Sequence, residues 1–209
     1  MCIVTLTLTL RDGSDMKVTK AQAQENRARI VRTASALFRE RGYDGVGLAE
    51  VMAASGFTHG GFYNHFGSKT DLIAESSSLS LTETAAQVKG LNAAAFVELY
   101  VSRKHRDVRS QGCTMAALGG DAPRQPDEIK AAFAAGIDNL LAALDGESAE
   151  PKSRAKLIDA LARSVGAIVL SRACPDDSAL ADEILAVCRE EALAALQPPA
   201  ASKRSRKPK

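Results

Sequence analysis

Between Thr58 and Lys69 the chain gathers side chains suited to hydrogen bonding rather than to bond breaking. They are Thr58, His59, Tyr63, Asn64, His65 and Lys69, with Gly60 and Gly61 among them. A hydroxyl, an imidazole, a phenol, an amide and an ammonium can each reach a phosphate oxygen or a base edge. Adjacent glycines let a backbone come close to a duplex. His59 can pair with a base edge, guanine N7 or O6 being suitable targets. Tyr63 can set its hydroxyl on a phosphate while its ring packs on the protein. Asn64 and His65 lie one turn on, within reach of the backbone or the core; His65 suits a contact and a structural role equally. Thr58 can cap the helix that follows or bond a phosphate. At Lys69 a positive charge and free helix N–H groups together suit a phosphate.

A second chemistry is a thiol. Cys113 follows Gly112 at the expected start of a short helix, with Arg106 and Arg109 near in sequence, a setting that can favour a thiolate. Its commoner role is a small packing residue. The four cysteines, Cys2, Cys113, Cys174 and Cys188, form no CxxC pair, and with three scattered histidines they give no zinc spacing. They read as reduced thiols of a cytoplasmic protein. No nucleophile–base pair, paired carboxylates or glycine-rich phosphate loop points to an enzyme, and no cofactor is expected.

The elements that must position these groups are helical. The 209 residues are rich in Ala and Leu and poor in aromatics, which favours an all-α fold. The net charge of +2 is too small for a generally nucleic-acid-coated protein, so any basic surface is local. No apolar run reaches the roughly 18 residues of a membrane span.

Helical periodicity begins near Lys20. Ile30, Val31, Ala34, Leu37 and Phe38 form a stripe in Arg27–Arg41, with the helix-one arginines mostly on a solvated face and Arg27 and Arg29 best placed to approach DNA. Gly42 suits the helix end. Leu48–Ala54, a turn at Ser55-Gly56-Phe57, and Thr58–Phe66 complete a helix-turn-helix, whose second helix can enter the major groove. Phe57, Phe62 and Phe66 read as core. Ser68 and Asp71 form a capping box for a helix running to about Val88.

Further helices are expected at Ala93–Ser102, Thr114–Leu118, Pro126–Leu144, Lys152–Arg172 and Asp177–Leu196. Asp145–Pro151 reads as a turn, and Pro175-Asp176 as a break. The alternating MCIVTLTLTLRDGSD segment reads as a strand without a partner, an extension that packs poorly and fits a start assigned too far upstream. The KRSRKPK end reads as disordered.

The stretch Arg27–Glu75, with Leu37-Phe38, Gly42-Tyr43, Ser55-Gly56-Phe57, Phe62-Tyr63, His65-Phe66 and Ser68-Lys69, resembles the DNA-binding domain of the TetR/AcrR family of bacterial transcriptional regulators. The resemblance puts Thr58, His59, Tyr63, His65 and Lys69 in DNA-contacting roles. It implies a homodimer on a palindromic double-stranded DNA operator, repression, and release by a small-molecule effector. Two positions depart from the family: Gly47 stands where Thr or Ser usually precedes helix two, and His59 where a basic or longer polar residue is common. Operator preference therefore cannot be carried over.

On this reading residues 1–16 are the extension, 17–67 the DNA-binding domain, 68–197 the ligand-binding and dimerisation domain, and 198–209 a disordered basic tail. The last two helices would dimerise as a four-helix bundle through Leu157, Leu161, Val165, Ile168, Val169, Leu180, Ile184, Leu185, Val187 and Leu193. Cys174 and Cys188 would border that interface. Apolarity and placement select Leu79, Leu99, Tyr100, Met115, Leu118, Phe133 and Ile137 as the ligand pocket. The alternative is a repressor of the same build that senses oxidants or electrophiles through Cys113.

Overall fold

A computed structural model describes residues 19–145 and 151–197. The N-terminal extension with Cys2, most of the turn before Pro151 and the basic tail lie outside them. The described residues hold nine α-helices and no strand, as the composition predicts.

Helix α1 (Lys20–Arg41) starts at Thr19, whose hydroxyl accepts the Gln22 N–H at 3.2 Å. It buries Ile30, Val31, Ala34 and Phe38. It stops at Gly42, whose φ of 77° favours glycine. Helix α2 (Leu48–Ala54) buries Val51 and Met52 behind an N-cap, Gly47, that offers no side-chain bond. A Cβ at Gly47 would meet nothing within 4 Å, so packing does not demand the glycine. Gly56, at φ 79°, turns the chain.

Helix α3 (Lys69–Val88) has the expected capping box. The Ser68 hydroxyl accepts from the Asp71 N–H at 3.1 Å, and the Asp71 carboxylate accepts from the Ser68 N–H at 3.1 Å. This helix leaves the DNA-binding half and runs into the larger half, where it crosses α7 (Asp127–Asp145) closely. A Cβ on Gly136 would sit 2.6 Å from the Leu81 Cβ.

Helix α4 (Ala93–Tyr100) ends earlier than the sequence suggests, because Ser102 caps a separate helix, α5 (Arg103–Asp107). A 3-10 turn at Arg109–Gln111 then leads to α6 (Thr114–Leu118). No apolar periodicity announces α5; a buried arginine holds it. Arg106 donates to the Ser171 Oγ at 2.9 Å and pairs with Asp107 at 2.6 Å and Asp176 at 3.1 Å.

Helices α8 (Pro151–Ala173) and α9 (Ala179–Leu196) pack as an antiparallel pair, with Ser171 donating to the Ala181 carbonyl at 3.0 Å. Here the expected bundle face needs correcting. Leu157, Leu161, Ile168 and Leu185 are buried within the chain, so they are core and not interface. Val169, Leu180 and Val187 stay exposed, and Leu170, not expected, joins them. Cys174 and Cys188 are partly buried free thiols.

Candidate functional site

The second element of the helix-turn-helix is not the expected α-helix over Thr58–Phe66. It is a six-residue 3-10 turn, His59–Asn64. Two consecutive glycines disfavour an α-helix, and 3-10 geometry suits a short piece. Two aromatic anchors fix it: Phe62 and Phe66 are buried, their rings stacked 5.3 Å apart. Thr58 is the N-cap residue, yet its hydroxyl makes no capping bond, against expectation. Its carbonyl instead accepts from the Gly61 N–H at 3.0 Å.

Opposite the anchors, Thr58, His59, Gly60, Tyr63 and Asn64 are exposed. The Tyr63 ring stands edge-on to Phe62 at 5.3 Å and is 66% exposed, which leaves its hydroxyl in solvent. A Cβ on Gly60 would meet nothing within 4 Å, and one on Gly61 only ordinary contacts at 3.7 Å. Nothing on the protein side requires these glycines. A partner pressed against the backbone would.

The flanking groups are more committed than the sequence suggests. His65 is half-buried between Phe57 and Phe66, and its carbonyl accepts from Arg27. Lys69 Nζ donates to the Tyr43 carbonyl at 2.6 Å, tying α3 to the loop after α1. Arg27, expected to approach DNA, instead chelates Glu75 and lies 4.1 Å over the Phe66 ring. Arg29 lies 4.3 Å over Phe57. Arg39 is no solvated arginine either: it donates to the Ser110 carbonyl at 2.9 Å, to the Ser35 Oγ at 2.6 Å and to the Ser80 hydroxyl. Charged residues at helical spacing give no sign of such burial.

The expected ligand pocket divides in two. A groove of about 830 Å³ between α6, α7 and α8 takes Met115, Phe133 and Ile137. A cavity of about 380 Å³ between α3, α4 and the α5–Cys113 segment takes Leu99 and Tyr100, with Cys113 in its wall. Leu118 is fully buried core, and Leu79 packs against the core; neither lines a cavity.

Cys113 is buried, and its backbone N–H donates to His105 Nε2 at 3.1 Å. That Nε2 must therefore be unprotonated, so Nδ1 carries the proton and donates to the Tyr100 carbonyl at 2.7 Å. Burial pulls the His105 pKa below its ordinary value, only partly offset by that bond. The sequence-adjacent Arg106 does not serve the thiol. Its guanidinium is committed to Ser171, Asp107 and Asp176.

Residues 30–75 match the family described as bacterial regulatory proteins, tetR family. The HTH-type transcriptional regulator AcrR of Shigella flexneri is 42% identical over 62 residues, 30% of this chain and 29% of that protein. The HTH-type transcriptional repressor BepR of Brucella suis is 40% identical over 58 residues, 28% of each. These matches span under a third of the relatives' length. The fold reaches further. The reduced form of E. coli NemR superposes with a TM-score of 0.67 at 16% identity, over 85% of this chain and 100% of that one. A TetR-family regulator from Agrobacterium tumefaciens gives 0.63 at 21% identity, over 81% and 98%. No described helix is long and apolar enough to cross a membrane. Residues 30–75 thus carry a DNA-binding segment of the bacterial tetR regulatory family, and the described residues share the fold of solved TetR-family structures.

Proposed function

We propose that the protein is a homodimeric repressor that leaves a palindromic operator when a small ligand binds. The carrying observation is the division of the 3-10 turn into a sealed aromatic side and an open polar side. Phe62 is buried while Thr58, His59, Gly60, Tyr63 and Asn64 face solvent. A hydroxyl, an imidazole, a phenol and an amide then meet the groove, with Gly60 permitting close backbone approach. Thr58, Tyr63 and Asn64 hold phosphates, and His59 reads a base edge. Lys69 and His65 serve mainly to seat the turn, through Tyr43 and Arg27.

Two such turns must lie about one DNA turn apart. Dimerisation sets that distance, and Leu170, Leu180 and Val187 supply the contact, at 57%, 55% and 52% exposure in the single chain. The Arg27–Glu75 and Lys69–Tyr43 bonds fasten the start of α3 to the DNA-binding half. A tilt of α3 therefore moves the turn. A ligand need only favour the tilted state by a few kcal/mol.

The test is operator binding by the double variant His59→Ala, Tyr63→Phe on the promoter beside the protein's own gene. Affinity should drop about tenfold or more. Unchanged affinity would move the reading surface elsewhere. The thiol-sensing alternative has one observation in its favour, the place of Cys113 in a cavity wall. Peroxide- or quinone-driven release that is lost in Cys113→Ser would support it, and release that persists would remove it.

A further inference from the structure

We propose that Gly60 is a specificity-determining residue: the operator sets a thymine methyl in the notch left by the missing Gly60 side chain, beside the Tyr63 ring. The inference rests on the DNA-binding reading above and adds one base to what the turn recognises.

A glycine on an exposed element costs backbone entropy, so something must repay it. A positive φ can, and so can a neighbour that blocks a Cβ. Neither applies at Gly60. Among the described residues the positive-φ glycines are Gly42, Gly56 and Gly90. A Cβ built on Gly60 meets nothing within 4 Å. Gly47, Gly120 and Gly166 are open in the same way. What singles out Gly60 is its place on the open side of the turn, between His59 and Tyr63, where the duplex is read.

The shape of the notch selects its occupant. Residues three apart eclipse in a 3-10 turn, so Gly60 shares a face with Tyr63. Tyr63 is 66% exposed and held edge-on to Phe62, so its ring rises beside the gap. The floor is the Gly60 Cα and the wall is an aromatic ring. Both surfaces are carbon, and neither offers a phosphate or a base acceptor anything in return for its water. On the edges of the bases in the major groove, the apolar projection is the C5-methyl of thymine. His59, one residue earlier, is then left to the neighbouring base edge.

Gly61 behaves differently. A Cβ there would point back at the protein, 3.7 Å from Met52 Cε and from Thr58 Oγ1, which is ordinary contact. The adjacent glycines thus serve as a matched pair, one facing the groove and one facing the domain.

The experiment moves a single methyl between DNA and protein. The full chain is titrated with the operator footprinted beside its own gene, in which deoxyuridine replaces thymidine at one position at a time in both half-sites. At one thymine, loss of the methyl should weaken wild-type binding about fourfold per half-site, as expected for one buried methyl. Gly60→Ala fills the notch from the protein side, so it should bind the thymine operator more weakly and prefer uracil at that same position. Gly61→Ala should keep the wild-type preference. Gly60→Ala should melt no lower than wild type, because its Cβ has room and its backbone angles suit alanine. The proposal is overturned if no thymine reverses its effect between wild type and Gly60→Ala, or if Gly61→Ala reverses it too. It is equally overturned if Gly60→Ala melts lower, since the fold itself would then require the glycine. The His59→Ala, Tyr63→Phe variant is run on the same operators. Weakened binding there with no reversal at Gly60 removes the methyl contact and leaves the reading surface standing. Unchanged binding there with no reversal removes both.

Discussion

His105 ties three features together: the end of α4, the Cys113 backbone and the Tyr100 ring. It does so as a neutral imidazole whose folded pKa is lowered by burial. In the unfolded chain it takes a proton at its ordinary value of about 6.5. As pH falls through that value the unfolded state gains the proton first, so stability drops until the folded pKa is reached. The melting temperature followed by circular dichroism should therefore fall from pH 7.5 to pH 5. The fall should be shallower in His105→Gln. An equal fall in both would place the acid sensitivity elsewhere. At this scale the sequence was readable where chemistry is local, as in the Ser68–Asp71 box or the Gly42 stop. It was unreadable for Arg27, Arg39 and Arg106. Their partners are 48, 71 and 65 residues away, and a charge in a helix looks solvated until those partners arrive.

Among the elements, α3 and α7 meet at Gly136, where an added methyl would press on Leu81. Gly136→Ala should destabilise the fold by about 1–3 kcal/mol, since neither backbone can give way cheaply. Urea denaturation reads this directly; a gain in stability, as for an ordinary helix glycine, would show that α3 yields. The long helices were legible because their apolar spacing is determined by the core they cover. The short ones were not. Helix α5 has a single buried residue, Arg106, and so carries no apolar pattern. The second element of the helix-turn-helix was misjudged in form, because the Gly60–Gly61 pair and the Phe62 anchor outweighed its helical appearance.

For the molecule as a whole, the open question in the sequence was which face of α8 and α9 is spare. Ten apolar positions looked equivalent, and the inward half could be separated only once the two helices were seen to pack on each other. Leu180→Asp with Val187→Asp tests the remainder. Both side chains are exposed in the single chain, so helicity should survive. Sedimentation should show a monomer, and operator affinity should fall with it, because one turn cannot span two half-sites. A stable dimer in this variant would place the interface elsewhere.

The side of α3 turned to the core carries Ser76, Ser77 and Ser80, all buried. Ser77 meets the Tyr43 hydroxyl at 2.8 Å, and Ser80 is shared between Thr114 and Arg39. Branched apolar side chains interlock, and shifting them opens voids that cost dispersion energy. Hydroxyls this small leave low ridges, and each can exchange one acceptor for another within a short displacement. Helix α3 thus has two kinds of seat side by side: an exchangeable polar one at Ser76, Ser77 and Ser80, and a keyed one where Leu81 fills the notch left by Gly136.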